Sequence, residues 1–268
     1  MLSFDPNSVI AMVSLAFAWM FLLMFSLWGV SIIIKNAGVV DIGWAFGIMG
    51  LAVIYFMYSD GYMPRQLFIL GMMGIWGLRL SFILLWRLLT EKNEDPRYQR
   101  IRQGWEAKAH LTFFLYYQLQ GFSAIILSVP ALIICINSRS SISPVEWIGF
   151  ILWLVAIIGE TLADDQLRGF KNNPANKGKT CRVGLWNYSR HPNYFFDWLV
   201  WCSFFVFALG SPMGWVTIVC PALMLYFLLQ VTGVPLAEEE ALRTRGEDYR
   251  EYQRTTSVFI PWFKPKAT

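Results

Sequence analysis

The chain has 268 residues, 56% of them hydrophobic and only 15% charged, with a formal net charge of +4. An ordinary soluble domain carries roughly 25% charged residues, so too little polar surface exists here to cover the apolar side chains in water. The apolar runs are continuous, which argues against the alternating strands of a transmembrane β-barrel.

Seven runs have about the length and composition of membrane spans: Val9–Ile34, Ala37–Tyr58, Leu67–Leu89, Leu111–Ile136, Val145–Ala163, a short Tyr194–Leu209, and Gly214–Val234. Lipid offers no partner to an open backbone group, so each is predicted to be a helix. The first run is longer than a signal-peptide core and no basic residue precedes it, so it is expected to stay as a span. The second carries Asp41 and the small-residue pattern "GWAFG" (43–47), and the third carries "GMMGIWG" (71–77) and Arg79. Glycines at these spacings predict close helix approach. A carboxyl at membrane depth costs several kcal/mol unless paired, hydrated or neutral. Asp41 therefore pairs with Arg79, lies near enough to the interface to be wet, or serves a site. Arg87, near a helix end, is expected to snorkel.

Long polar segments separate some of these runs: 90–110, 164–186 and the tail from Pro235. Of 22 Lys and Arg residues, 18 fall on the side of these segments. The positive-inside rule makes that side cytoplasmic, with the amino terminus outside and the tail inside. The whole chain, 1–268, is expected to be one membrane domain. In the tail, Pro235 is a good first helical residue and Glu238, Glu239 and Glu240 suit early turns, so an amphipathic helix is predicted to about Arg254. "SVFIPWF" beyond it either lies at the interface or packs back on the bundle. The four cysteines form no CxxC pair, so free thiols are expected, and no metal site is read from them or from two histidines.

Two clusters carry chemistry. Glu160 and Asp164, four residues apart, share a helix face. They are either a solvated rim or acceptors for ribose hydroxyls, with Lys171, Lys179, Arg182 and Arg190 taking phosphates as point charges and forks. The second cluster is "NYSRHPNYFFDW" (187–198). Pro192 suits a helix start, where Ser189, Arg190, Asn193 and Tyr194 offer donors. Asn193, Asp197 and Trp201 follow at four-residue spacing on one face. An interfacial anchor explains the aromatics and the arginine, but not Asn193 and Asp197.

"GLWNYSRHPNYFFDWLVW" (184–201) with "EEE…GEDYREYQRTTSVFIPWF" (238–263) resembles the steroid 5α-reductase family, its bacterial members above all. The R-H-P-x-Y and E-E…Y-x-x-Y elements are shared with sterol C14 reductases and isoprenylcysteine carboxyl methyltransferases. The resemblance is strong from Glu160 onward and weaker before it, through Asp41, Arg79 and "NEDPRY" (93–98). It implies an all-α integral membrane protein, a seven-transmembrane-helix bundle with cytoplasmic cofactor-binding loops, located in the bacterial inner membrane. It implies NADPH as cofactor, with Asp164, Arg168, Lys171, Arg182, Asn193, Tyr194, Asp197 and Trp201 at contacting positions, joined by Arg79, Arg97 and Tyr98. Asp41 matches the family's substrate-facing glutamate, and Trp44, Trp76, Tyr116 and Gln120 are expected to line the substrate pocket. The family's partner tyrosine, three residues before Arg79, is here Trp76. A tyrosine must come from elsewhere, such as Tyr55, Tyr116 or Tyr117.

The reaction implied is reduction of a C=C bond conjugated to a ketone in a lipidic substrate, a 3-oxo-Δ4 steroid foremost. Charge then grows on the ketone oxygen, and a neutral Asp41 in an apolar pocket is expected to donate to it. The rival is an S-adenosylmethionine-dependent methyltransferase of the isoprenylcysteine carboxyl type, whose phosphate-free cofactor has less use for the lysines and arginines. Partners are the lipidic substrate and membrane lipid, with no nucleic acid.

Overall fold

The computed structural model describes residues 6–90, 94–104 and 109–263. Eleven α-helices follow in order: α1 Pro6–Ile34, α2 Val39–Tyr58, α3 Met63–Thr90, α4 Pro96–Gly104, α5 Ala109–Leu127, α6 Val129–Cys135, α7 Pro144–Asn172, α8 Pro192–Ala208, α9 Val219–Tyr226, α10 Val234–Arg245 and α11 Glu247–Thr255. Among the described residues the only β pairing is an isolated bridge between Ser189 and Ser257. Six stretches there are long and apolar enough to cross a membrane: 7–34, 39–58, 63–90, 110–135, 144–172 and 214–245. The expected sixth span is α8, whose 17 residues rise only about 26 Å, short of a roughly 30 Å hydrocarbon core. The described residues are thus helical, with six candidate spans.

Two of the six spans are interrupted for local reasons. Pro130 lacks an N–H and separates α5 from α6 at Ser128. The last span runs from a 3₁₀ turn through α9, a π turn at Phe227–Val231 and into α10. The tail is not one helix to Arg254. Gly246 adopts φ +57°, a conformation that favours glycine, and divides α10 from α11.

The chain divides into two compact units, each with its own packing. In the first, Met1–Glu146 with Ala208–Trp215, α2 packs against α1, α3, α5 and α6. Gly43 and Gly47 are where α1 comes close: a Cβ at Gly47 would lie 2.7 Å from Met20, and one at Gly43 would run into Leu27. On α3 only Gly77 makes such a contact, 3.1 Å from the Ala45 carbonyl, while Gly71 and Gly74 face open space. A buried ion pair sits among the turns of this unit. Arg65 and Glu146 are 1% and 0% exposed and bond directly. Arg65 also donates to the carbonyls of Asn137 (3.1 Å), Arg139 (2.7 Å) and Ser141. Glu146 accepts from the Ser143 hydroxyl at 2.8 Å. One arginine thus satisfies three loop carbonyls that lipid could not.

In the second unit, Trp147–Phe207 with Val216–Thr268, α7 and α8 meet where Phe196 lies over Gly159, leaving no room for a Cβ. Trp186 donates to the Ala163 carbonyl at 2.8 Å and Trp198 to that of Pro221 at 3.0 Å. Phe259 is buried against Phe195 and Trp198. Through Phe259 the "SVFIPWF" stretch packs back on the helices, while Ile260, Trp262 and Phe263 stay exposed.

Removing one partner of a buried pair strands the other charge. Glu146→Gln is expected to cost about 3–5 kcal/mol, read as a clear drop in melting temperature in detergent micelles. An unchanged melt would show the pair to be dispensable.

Candidate active site

In the first unit the site grows from the first turn of α2. Asp41 sits there because the run "VVDIGW" starts its helix at Val39, and its side chain is 20% exposed. Its ion-pair partner is Arg97 of α4, not Arg79: Arg97 Nη2 donates to Oδ2 at 2.9 Å. The Tyr98 hydroxyl donates to Oδ1 at 2.7 Å, and Tyr98 is wholly buried. Asp41 therefore accepts at both oxygens, the reverse of the donor role expected of a neutral carboxyl. Arg97 is fixed in turn by Asp95, through Nε and Nη2 at 3.0 Å each. Glu94 anchors the same segment, accepting from the Ala37 N–H and from Arg102 Nη2, both at 2.8 Å. These bonds dock α4 on the start of α2. Of the "NEDPRY" stretch, Asn93 lies outside the described residues.

Tyr116 of α5 meets Tyr98 edge to face, with ring centroids 6.0 Å apart. Gln120 Nε2 donates to the Tyr116 hydroxyl at 2.9 Å. One turn along α2, Trp44 donates to Ser123 Oγ at 3.0 Å and stands edge to face with Trp76 at 5.9 Å. Asp41, Arg97 and Tyr98 also line a cleft with Asn36, Arg87 and Asp95. So Asp41, Tyr98, Tyr116 and Gln120 form one connected group, with Trp44 and Trp76 beside it. Arg97 and Tyr98, which the resemblance puts near the cofactor, are bonded to Asp41 and belong to its cluster. Tyr55 and Tyr117 do not reach Asp41: their hydroxyls bond Ser128 Oγ and the Ala37 carbonyl.

The electrostatics follow from this packing. Burial, reinforced by the Asp41 charge, pushes the Tyr98 phenol well above its ordinary value. For Asp95, burial works upward, but hydrogen bonds and charge from Arg97 outweigh it and hold the carboxyl below its ordinary value.

In the second unit, Asn193 of α8 reaches Asp164 of α7, Nδ2 to Oδ1 at 3.3 Å. Its Oδ1 is buried without a hydrogen-bond partner, an arrangement that native proteins seldom leave unexplained. Asp197 and Trp201 continue the α8 face. Lys171 and Lys179 are exposed, and Arg168 is exposed beside Asp165 at 3.3 Å.

Three expected cofactor ligands are otherwise engaged. Arg182 binds Asp248 at 3.0 Å and Glu251 at 3.2 Å. Ser189 Oγ donates to the Phe259 carbonyl at 2.7 Å. Arg190 donates Nε to Glu238 at 2.7 Å, and Nη1 to the carbonyls of Gln253 (2.9 Å) and Thr256 (2.8 Å). Tyr252 adds a bond to the Ser189 carbonyl at 3.0 Å. The front of the "SRHPNY" motif thus fastens the tail. The sequence places Glu238 in an early helical turn, and no local pattern signals that it pairs with Arg190 or that Asp248 and Glu251 pair with Arg182.

A model of one family matches residues 27–256. The chain belongs to the DUF1295 family. The family is described as one of proteins of unknown function. This DUF1295 chain is 26% identical over 269 residues to the uncharacterized protein C594.04c of Schizosaccharomyces pombe, covering 90% of this chain and 77% of that one. It is 39% identical over 63 residues to the probable O-methyltransferase ustE of Ustilaginoidea virens, 24% of this chain and 22% of the other. No solved structure matches it significantly.

With a raised folded value, the protonated Tyr98 contributes stability fully below the ordinary tyrosine value, and this is lost as pH rises through the folded value. The protein and its Tyr98→Phe variant are therefore expected to show the same phenolate absorbance up to about pH 10. Extra phenolate in the wild type below that pH would place Tyr98 in a wetter, less charged setting.

Proposed function

We propose that the whole chain is one NADPH-dependent membrane reductase. It reduces the C=C bond of an α,β-unsaturated ketone in a lipidic substrate, with a 3-oxo-Δ4 steroid as the substrate its resemblance favours. In this reading α8 is the seventh crossing, the amino terminus is outside and the tail is cytoplasmic, in a bacterial inner membrane. The DUF1295 family includes steroid 5α-reductase-like membrane proteins, which supports the reading. The observation that carries it is the buried Tyr98 hydroxyl held on Asp41 at 2.7 Å. It supplies the tyrosine that the helix position of Trp76 lacks.

NADPH, when bound, supplies the hydride. The residues present suit such a cofactor. The unpartnered Oδ1 of Asn193 asks for a donor such as a carboxamide or ribose hydroxyl. Asp164 stands beside it as a second acceptor, and Arg168, Lys171 and Lys179 are cations suited to phosphate. Tyr194, Asp197 and Trp201 complete the set. Arg182, Ser189 and Arg190 hold the tail and are assigned support roles.

At the substrate, the phenol of Tyr98 is the group with a proton to offer. Asp41, fixed by Arg97, is a carboxylate that aims it. As charge grows on the ketone oxygen, Tyr98 turns its O–H from Asp41 to that oxygen and stabilises the enolate. Its raised value keeps it protonated throughout. Trp44, Trp76, Tyr116 and Gln120 flank the substrate. Tyr98→Phe is expected to lower kcat by roughly 10²–10³-fold, the usual loss for one oxyanion donor, with little change in KM. Full turnover in that variant would remove the assignment.

A second reading, a methyltransferase using S-adenosylmethionine, is favoured by the 63-residue similarity to a probable O-methyltransferase. Heat-released ligand from the purified protein separates the two. NADP(H) is the expected find, and S-adenosylmethionine or its demethylated product in its place would overturn the reductase.

A further inference from the structure

The hub of the second unit is a residue that the cofactor reading leaves without a role. Glu238, on α10, has a carboxylate with about four lone-pair sites, and four donors meet it. Arg190 Nε (2.7 Å), His191 Nε2 (3.3 Å) and the Tyr249 hydroxyl (3.4 Å) approach Oε1. Gln253 Nε2 takes Oε2 at 2.8 Å. Oε1 is fully used by three donors and Oε2 is held by Gln253, so both oxygens of Glu238 are committed to side chains of this unit.

Its effect passes to the motif through His191. A carboxylate paired to arginine only accepts, so His191 Nε2 must carry a hydrogen. The His191 ring lies parallel to that of Tyr194, 6° apart in plane, with centroids at 5.4 Å. His191 is buried, and its N–H bonds Ser189 Oγ at 3.1 Å. Both faces of its placement are thus set, one by Glu238 and one by Tyr194, next to Asn193 in the first turn of α8.

We infer that Glu238 is a positioning residue: it fixes Arg190 and the Nε2–H form of His191, and through the His191–Tyr194 stack it holds the turn that presents Asn193 to the cofactor. The last clause rests on the reductase reading; the first does not. Glu238→Gln replaces one acceptor with an amide donor, which then faces the N–H groups of Arg190 or Gln253.

The test has two readouts on the full-length protein in micelles. Nitrogen-15 labelling of histidine gives signals from only two residues, His110 and His191. Glu238→Gln is expected to move the His191 ring signals and leave His110 alone. An unmoved His191 overturns the positioning role whether or not NADPH binds. The second readout is NADPH affinity: the variant should bind about tenfold more weakly, ~1.4 kcal/mol, and adding Asn193→Ala should cost less than it does in the wild type. Normal affinity alongside a moved His191 signal overturns the link to the cofactor. Wild-type protein that ignores NADPH overturns the reductase reading, while the histidine signals still decide the positioning. Should Glu238→Gln fail to fold, Gln253→Ala removes one donor and leaves the carboxylate; a smaller shift of His191 is expected, and none would count against the proposal.

Discussion

A charge placed in an apolar helical bundle must bring its own partner, because lipid supplies none. Among the described residues, the pairs Arg65 with Glu146, Arg97 with Asp41, and Arg190 with Glu238 meet this constraint. Each joins segments far apart in sequence, and each arginine reaches a further acceptor besides its partner. The pairs therefore set where loops and short helices dock, a task that apolar packing cannot do selectively.

The three differ in what they leave over. Arg65–Glu146 is sealed, bonded to loop carbonyls and to the Ser143 hydroxyl. Arg190–Glu238 locks the tail to the "SRHPNY" segment, one turn from Asn193 and its unpartnered oxygen. Arg97–Asp41 holds the Tyr98 phenol at 2.7 Å and is partly open to a polar cleft that Tyr98 also lines, whereas the Tyr249 phenol lies 3.4 Å from Glu238. The reductase reading rests on this difference. Where a pair only ties segments together, nothing else is required of it. Where it holds a hydroxyl by a short bond at the lining of a cleft, chemistry is the economical account.

The helical class and six of the spans were legible in the sequence because apolar length alone defines them. "GWAFG" announced a close approach to α1, and Gly43 and Gly47 make it. "GMMGIWG" misled in part, since spacing does not say which face meets a neighbour and Gly71 and Gly74 meet none. The importance of Asp41 was legible from its cost in lipid, but its partner was not. Arg97 and Tyr98 lie on a short polar helix whose docking depends on Glu94, Asp95 and Arg102, and no periodicity reports such a contact. Likewise "RHPNY" identified itself as a motif. The commitment of Ser189 and Arg190 to the tail depends on residues some 50 to 70 positions downstream, a distance over which unaided pattern reading cannot pair charges.

The central claim is hydride transfer to an enone. It is tested most directly by incubating the purified protein with NADPH carrying deuterium at the transferable position and a 3-oxo-Δ4 steroid, then locating the label. The account predicts one deuterium on the β-carbon of the saturated ketone, with a solvent hydrogen on the α-carbon. Label that stays in the cofactor, with a methylated product formed only when S-adenosylmethionine is supplied, would contradict it.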